Sequence, residues 1–162
     1  MIDLTKGLTF EQYLNKNSES ERNKVLEAYE KTELSKEAIE TVKSINNKVN
    51  VVVFSEGYCP DCVVTLPFIK RMENLNENIK VYLFGMDGNR ELLEEYTGTA
   101  RIPTVMTFTE SMEPKGAYIE VPKVIAEKMA KLTSEKQREL VIEYREGKHN
   151  KLVEQELLDI VK

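Results

Sequence analysis

The chain has 162 residues, a span that fits one domain, and 41% of them are hydrophobic, enough to build a core. Its 28 Asp and Glu outnumber its 23 Lys and Arg, giving a formal net charge of -5; an acidic balance repels phosphate backbones, so nucleic acid is excluded as the expected partner. No apolar run reaches about 18 residues, so no membrane span is expected. The start, Met1-Ile2-Asp3-Leu4-Thr5-Lys6-Gly7, lacks the basic-then-apolar order of a secretory signal. These features point to the reducing cytoplasm, where two cysteines spaced Cys-x-x-Cys serve redox or metal chemistry more often than stapling.

The first third reads as helical. Thr9-Phe10-Glu11-Gln12 and Ser18-Glu19-Ser20-Glu21 both match the capping box. Val25, Leu26 and Tyr29, then Leu34, Ala38, Ile39, Val42 and Ile45, recur at helical spacing and predict amphipathic cover helices. Asn46-Asn47-Lys48 closes the segment. Val49-Asn50-Val51-Val52-Val53-Phe54 is short, β-branched and almost wholly apolar, which predicts a central strand buried on both faces.

The stretch Glu56-Gly57-Tyr58-Cys59-Pro60-Asp61-Cys62 follows at once and holds both cysteines of the chain. A helix through Leu75 comes next, with Pro67 inside it. Ile79–Phe84 reads as a second strand. Gly88-Asn89 opens a short helix that runs to Tyr96 and stops at Gly98. Thr104–Phe108 is a third strand, and a turn at Glu113-Pro114-Lys115-Gly116 leads to a fourth, Ala117–Val121. Pro122 starts a helix where proline is tolerated. Ser134-Glu135-Lys136-Gln137 caps the first of two tail helices; Leu140, Val141 and Tyr144 mark one, and Val153, Leu157, Ile160 and Val161 the other. The expected division is a helical N-terminal extension at 1–48, an α/β core at 49–131 and a C-terminal helical extension at 132–162, within one compact domain.

The cysteines sit where a strand gives way to a helix, with Pro60 at the first helical position. A helix start offers unpaired N–H groups and the positive end of the dipole, which lower a thiol's pKa. Cys59 is therefore the expected nucleophile and should be exposed. Cys62, one turn on, can lie beneath it and resolve the mixed disulfide that Cys59 forms. Tyr58, Pro60 and Asp61 surround the pair as candidate redox-tuning residues. The Asp61 charge opposes ionisation of Cys59, and Asp61 or Glu56 is a candidate acceptor for the proton of Cys62. A zinc site is the alternative, but two cysteines and the single His149, far along in Gly147-Lys148-His149-Asn150, leave it short of a ligand; within one chain it would need a carboxylate. Two ordinary helix cysteines are the plainest alternative. Proline in Arg101-Ile102-Pro103-Thr104 cannot donate to a sheet ladder, and points to a special backbone such as a cis bond.

Cys59-Pro60-Asp61-Cys62, Pro67, Ile102-Pro103-Thr104 and the strand order together resemble the thioredoxin superfamily. The opening Gly7-Leu8-Thr9-Phe10-Glu11-Gln12-Tyr13-Leu14 is similar to the start of a bacterial subgroup with a helical N-terminal extension. The resemblance implies a thioredoxin-like α/β fold, a central mixed four-stranded sheet flanked by helices, with further helices at both ends. It also implies thiol–disulfide oxidoreductase activity through a redox-active Cys59–Cys62 disulfide, with no bound cofactor. Cys59 would attack, Cys62 would resolve, and Pro103 would be a cis-proline beside them. Ile102 would offer backbone groups to an extended substrate segment. The implied partners are disulfide-containing proteins or small thiols, re-reduced by a reductase or a low-molecular-weight thiol. A non-enzymatic module that senses redox state or holds a metal is the second reading. The motif departs from thioredoxins proper, which carry Trp where Tyr58 stands and Gly-Pro where Pro60-Asp61 stands. Val53 takes the place of their buried aspartate, and Leu83 falls near that of its lysine partner, so no proton acceptor for Cys62 is assigned.

Overall fold

The computed structural model describes residues 1–162, and eight α-helices and four β-strands follow one another along it. They are α1 (Phe10–Lys16), α2 (Glu19–Lys31), α3 (Lys36–Lys43), β1 (Val49–Phe54), α4 (Pro60–Leu75), β2 (Ile79–Phe84), α5 (Arg90–Thr97), β3 (Thr104–Thr109), β4 (Pro114–Ile119), α6 (Lys123–Ala130), α7 (Ser134–Arg145) and α8 (Asn150–Val161). The strands form one mixed sheet in the order β2-β1-β3-β4. β1 runs parallel to β2 and antiparallel to β3, and β3 runs antiparallel to β4. This is the mixed four-stranded α/β arrangement expected from the sequence.

Alternation along β1 divides the interior. Val49, Val51 and Val53 face the larger core, with Leu66 and Phe68 of α4, Ala38 and Val42 of α3, and Val153 and Leu157 of α8. Val52 and Phe54 face the smaller one, with Ile2, Phe84, Leu93, Met106 and Phe108. A strand inside the sheet has no solvated face, which is why β1 lacks a polar alternation.

Both capping boxes are present: Thr9 and Ser18 each accept from an amide three residues on, and Gln12 and Glu21 return the bond. α4 begins at Pro60, and α5 ends at Gly98, whose φ of 78° is the left-handed cap that glycine accommodates without a Cβ penalty.

Three readings need correction. The turn after β3 lies before Pro114, with Met112 at a φ of 67°, and β4 runs Pro114–Ile119, starting before the expected Ala117 and stopping before Val121. β4 is an edge strand, which tolerates proline, and the register shift at Thr107/Phe108 absorbs the irregular entry. It ends because Glu120 turns to a φ of 65° and gives its amide to the Pro103 carbonyl at 2.7 Å. The cap of α7 is Thr133, whose side chain accepts from the Lys136 amide, and not Ser134. Leu26 is exposed while its neighbour Val25 is buried, because α2 presents only one face to the molecule. No helix is long and apolar enough to cross a membrane.

Candidate active site

The antiparallel pairing of β1 and β3 sets Phe54 opposite Thr104. The end of the strand that leads into the cysteine motif therefore lies beside the start of the strand that follows Ile102-Pro103. The parallel neighbour β2 finishes at the same edge, with Phe54 paired to Phe84. Three chain segments from distant parts of the sequence thus converge on one end of the sheet.

Cys59 is the N-cap of α4 and Pro60 its first residue. The Cys62 amide donates to Cys59 Sγ at 3.2 Å, one of the helix-start donors that would otherwise lack a partner. Cys59 Sγ lies 3.8 Å from the Ile102 carbonyl oxygen. Both cysteines are free thiols. The expectation that Cys59 would be exposed is corrected: it is only 8% exposed, against 1% for Cys62, and its Sγ lies against the Ile102 carbonyl. The order of accessibility still favours Cys59.

The electrostatics separate the two sulfurs. A hydrogen bond from the Cys62 thiol holds the Cys59 pKa below its ordinary value, and the Cys62 and Asp61 amides help; burial and the Asp61 charge oppose it. Burial pushes the Cys62 thiol strongly up, and its position beneath Cys59 adds to that. A low-pKa thiol above a high-pKa one is the division of labour that an attacking and a resolving cysteine require.

The structure brings the other predicted residues to the same place. Tyr58 projects into solvent, 69% exposed, and the buried Gly57 before it rests on Asn17, where a Cβ would come within 2.7 Å of the side chain. The Ile102–Pro103 bond is cis. The Ile102 peptide groups have no backbone partner within the chain, whereas the Pro103 carbonyl is taken by Glu120. Asp61 forms an ion pair with Arg145 of α7 at 3.0 Å. Glu56 accepts the Met86 amide at 2.6 Å, tying the loop after β1 to the loop after β2. The two carboxylates considered for the Cys62 proton are thus held by other partners. His149 packs against Glu143 at 3.4 Å, and no three His, Cys, Asp or Glu side chains gather in a geometry able to hold a metal ion.

Val53 and Leu83, the positions that would carry a buried acid and its lysine partner, are direct neighbours in the β1–β2 register, and both are fully buried and apolar. Against the burial that raises the Cys62 pKa, the Ser55 hydroxyl acts to lower it. Ser55 is buried, its amide bonds the Phe84 carbonyl at 2.9 Å, and its Oγ is 2.8 Å from the Tyr13 hydroxyl of α1. Sequence reasoning overlooked this pair, although Ser55 was visible as the one small polar residue between the apolar strand and the motif. It also overlooked a groove of about 930 Å³ that opens on Cys59, framed by Lys24 and Ala28 of α2, Tyr58, Arg145 and Asn150. No short-range pattern announces a groove whose walls come from both ends of the chain.

The family model described as thioredoxin matches residues 7–139. A crystal structure of a protein of unknown function from Pseudomonas aeruginosa superposes with a TM-score of 0.82 at 18% identity, covering 98% of this chain and 93% of that one. An HIV epitope scaffold superposes with a TM-score of 0.82 at 19% identity, covering 98% of this chain and 94% of that one. At these identities both likenesses speak for the fold. No protein with a curated description matches the chain.

Proposed function

We propose that this chain, which belongs to the thioredoxin family, is a thiol–disulfide oxidoreductase that reduces intracellular disulfides, with Cys59 attacking and Cys62 resolving. The observation that carries the reading is the setting of Cys59 Sγ. It caps α4, accepts the Cys62 amide at 3.2 Å and lies beside the carbonyl of Ile102, a residue whose peptide groups have no backbone partner within the chain. An extended substrate could lie along Ile102 as a short added strand, bringing its disulfide over Cys59.

The Cys59 thiolate attacks one sulfur of the substrate disulfide. The substrate S–S bond breaks, and the other substrate sulfur leaves with the bonding pair and takes up a proton. Cys62 then attacks Cys59, the mixed disulfide breaks, and the second substrate thiol departs. Two electrons and two protons have passed to the substrate, and a Cys59–Cys62 disulfide remains for a reductase or a low-molecular-weight thiol to reduce. Tyr58, Pro60 and Asp61 would tune the pair by packing, helix geometry and charge.

The test is acid-quenched thiol counting after the reduced protein meets a protein disulfide. The wild type should lose both thiols. Cys59→Ser should leave the substrate intact, and Cys62→Ser should accumulate a stable mixed disulfide that identifies the substrate. A wild type that keeps both thiols, or a Cys62→Ser variant that traps nothing, would overturn the reading.

A further inference from the structure

The groove that opens on Cys59 is lined by Glu21, Lys24, Glu27 and Lys31 of α2, by Arg145 of α7 and by Glu146 just beyond it. Most of these charges are engaged. Glu21 accepts the Ser18 amide at 3.0 Å, Glu27 pairs with Lys31 at 2.9 Å, Glu146 with Lys148 at 3.5 Å and Arg145 with Asp61 at 3.0 Å. Lys24 takes part in no ion pair. Arg145 reaches Asp61 through Nε alone. A guanidinium carries five N–H donors in a planar fork, so its outer nitrogens remain for a second acceptor.

Both cations stand at the Cys59 end. A Cβ built on Gly57 would come within 3.0 Å of the Glu21 carboxyl carbon, so that turn of α2 lies beside the loop that carries Cys59. Lys24 is one turn further on the same helix face. Arg145 comes in from the α7 side, onto the first turn of α4. The other end of the groove is at Thr32. There Arg71 of α4 donates to the Tyr29 and Thr32 carbonyls at 2.8 and 3.1 Å and lies 3.8 Å from the centre of the Tyr29 ring, which ties α2 down. From Glu21 to Thr32 the chain rises about 16 Å. The groove volume of about 930 Å³ fits the small-molecule range of roughly 300–1,000 Å³. Neither Ile102 nor Pro103 lines it, so the edge suited to an extended protein segment is a separate surface.

We propose that this groove seats a low-molecular-weight disulfide that bears carboxylates, of the amino-acid or short-peptide thiol class, and that Lys24 and Arg145 hold those carboxylates. The inference rests on the oxidoreductase reading and names a substrate class for the same site. A carboxylate matches the guanidinium fork, and Lys24 supplies a point charge on the α2 side. Local cations are needed here, because a chain of net charge -5 repels an anionic ligand at a distance. The Cys59 thiolate attacks one sulfur of the seated disulfide. The S–S bond breaks, and one small thiolate leaves with the bonding pair and takes a proton from solvent. The other half stays in the groove, joined to Cys59, until Cys62 attacks Cys59 and displaces it with its electron pair. The proton given up by Cys62 balances the one taken by that second thiolate. The protein ends as the Cys59–Cys62 disulfide, and two small thiols are released.

The experiment oxidises the reduced full chain with two probes, glutathione disulfide and the same disulfide with its carboxylates esterified, and follows the loss of protein thiols. The ratio of the two second-order rate constants is the readout. Both probes meet the same Cys59, so a change in the thiol itself divides out. The wild type should prefer the charged probe, and the preference should shrink as salt is raised. The ratio should fall about fivefold in Lys24→Glu, which turns attraction into repulsion, and about threefold in Arg145→Gln. Lys80→Glu makes the same change in net charge on β2, outside the groove, and should keep the wild-type ratio. An unchanged ratio in Lys24→Glu would overturn the inference, as would an equal fall in Lys80→Glu. So would a loss of insulin-disulfide reduction in Lys24→Glu as large as its loss with glutathione disulfide, since the groove would then serve a protein. A wild type that reduces insulin but neither small probe would overturn the inference and leave the oxidoreductase reading intact. A wild type that reduces none of the three would overturn both.

Discussion

Removing the carboxylate of Asp61 should make Cys59 a stronger acid. That carboxylate raises the thiol's pKa by its charge, against the hydrogen bonds that lower it. It is itself only 15% exposed and is paired with Arg145 at 3.0 Å, so its field at Cys59 is partly offset by the guanidinium. Two substitutions should therefore move the thiol in opposite directions. Asp61→Asn should shift the pH dependence of Cys59 alkylation by iodoacetamide downward and make the couple less reducing. Arg145→Gln, which leaves the carboxylate without its counter-charge, should shift the alkylation upward. In both variants Cys59 should be labelled well before Cys62, in keeping with the depth of the two sulfurs. If Asp61→Asn changes only stability, by the roughly 0.3–1 kcal/mol expected of a carboxylate at a helix start, the residue is a helix-start charge and nothing more.

Between elements, α8 approaches the outer strand closely. A Cβ built on Gly116 of β4 would sit 2.7 Å from Ile160 Cγ2 and 3.0 Å from its Cβ. The helix cannot simply back away, because Thr107 Oγ1 donates to the Ile160 carbonyl at 2.6 Å and Lys115 Nζ donates to the Val161 carbonyl at 3.0 Å. These bonds also satisfy carbonyls that the helix end leaves open. Gly116→Ala should therefore cost about 1–3 kcal/mol in chemical denaturation, the range for overpacking. Thr107, which pairs with Gly116, lies three residues into β3 from the Ile102-Pro103 end. The rate of Cys59 alkylation should therefore be unaffected, and a large change in that rate would show that α8 reaches the site mechanically.

For the whole molecule, alkaline pH is the telling condition. Cys62, Tyr13, Tyr118 and Tyr144 are all raised from ordinary values of 9.0 and 10.0, chiefly by burial; Tyr13 and Tyr144 are each pushed up to about 12. The last two of the four share a buried hydroxyl pair at 3.0 Å. Above pH 9 to 10 the unfolded chain releases these protons while the native state keeps them, so stability is full below those values and falls as pH rises through them. Each group steepens the fall by up to about 1.4 kcal/mol per pH unit. Cys59 works the other way, since its native pKa is lowered and the folded state sheds that proton first. Four groups outweigh one. The thermal midpoint of the reduced protein should drop progressively above pH 10, and Tyr118→Phe should flatten the decline; a pH-independent midpoint to pH 11 would contradict it.

What the sequence determined by itself is what a few neighbouring residues can decide. The runs Val49–Phe54 and Ile79–Phe84 are β1 and β2 to the residue, because a short β-branched apolar stretch has few other uses. The two capping boxes, the Pro60 start of α4 and the Gly98 stop of α5 are settled within one helical turn. So is the placing of two cysteines at a strand-to-helix junction, which carries the case for redox chemistry. The tertiary structure decided everything that joins distant residues. The start of β4 depended on its place at the sheet edge, the ion-pair partner of Asp61 on an arginine 84 positions away, and the partner of Ser55 on a tyrosine 42 positions earlier. Those contacts arise when amphipathic helices bury their apolar faces on the sheet. Burial area and shape select that packing, and the polar atoms it brings within bonding distance leave no pattern along the chain.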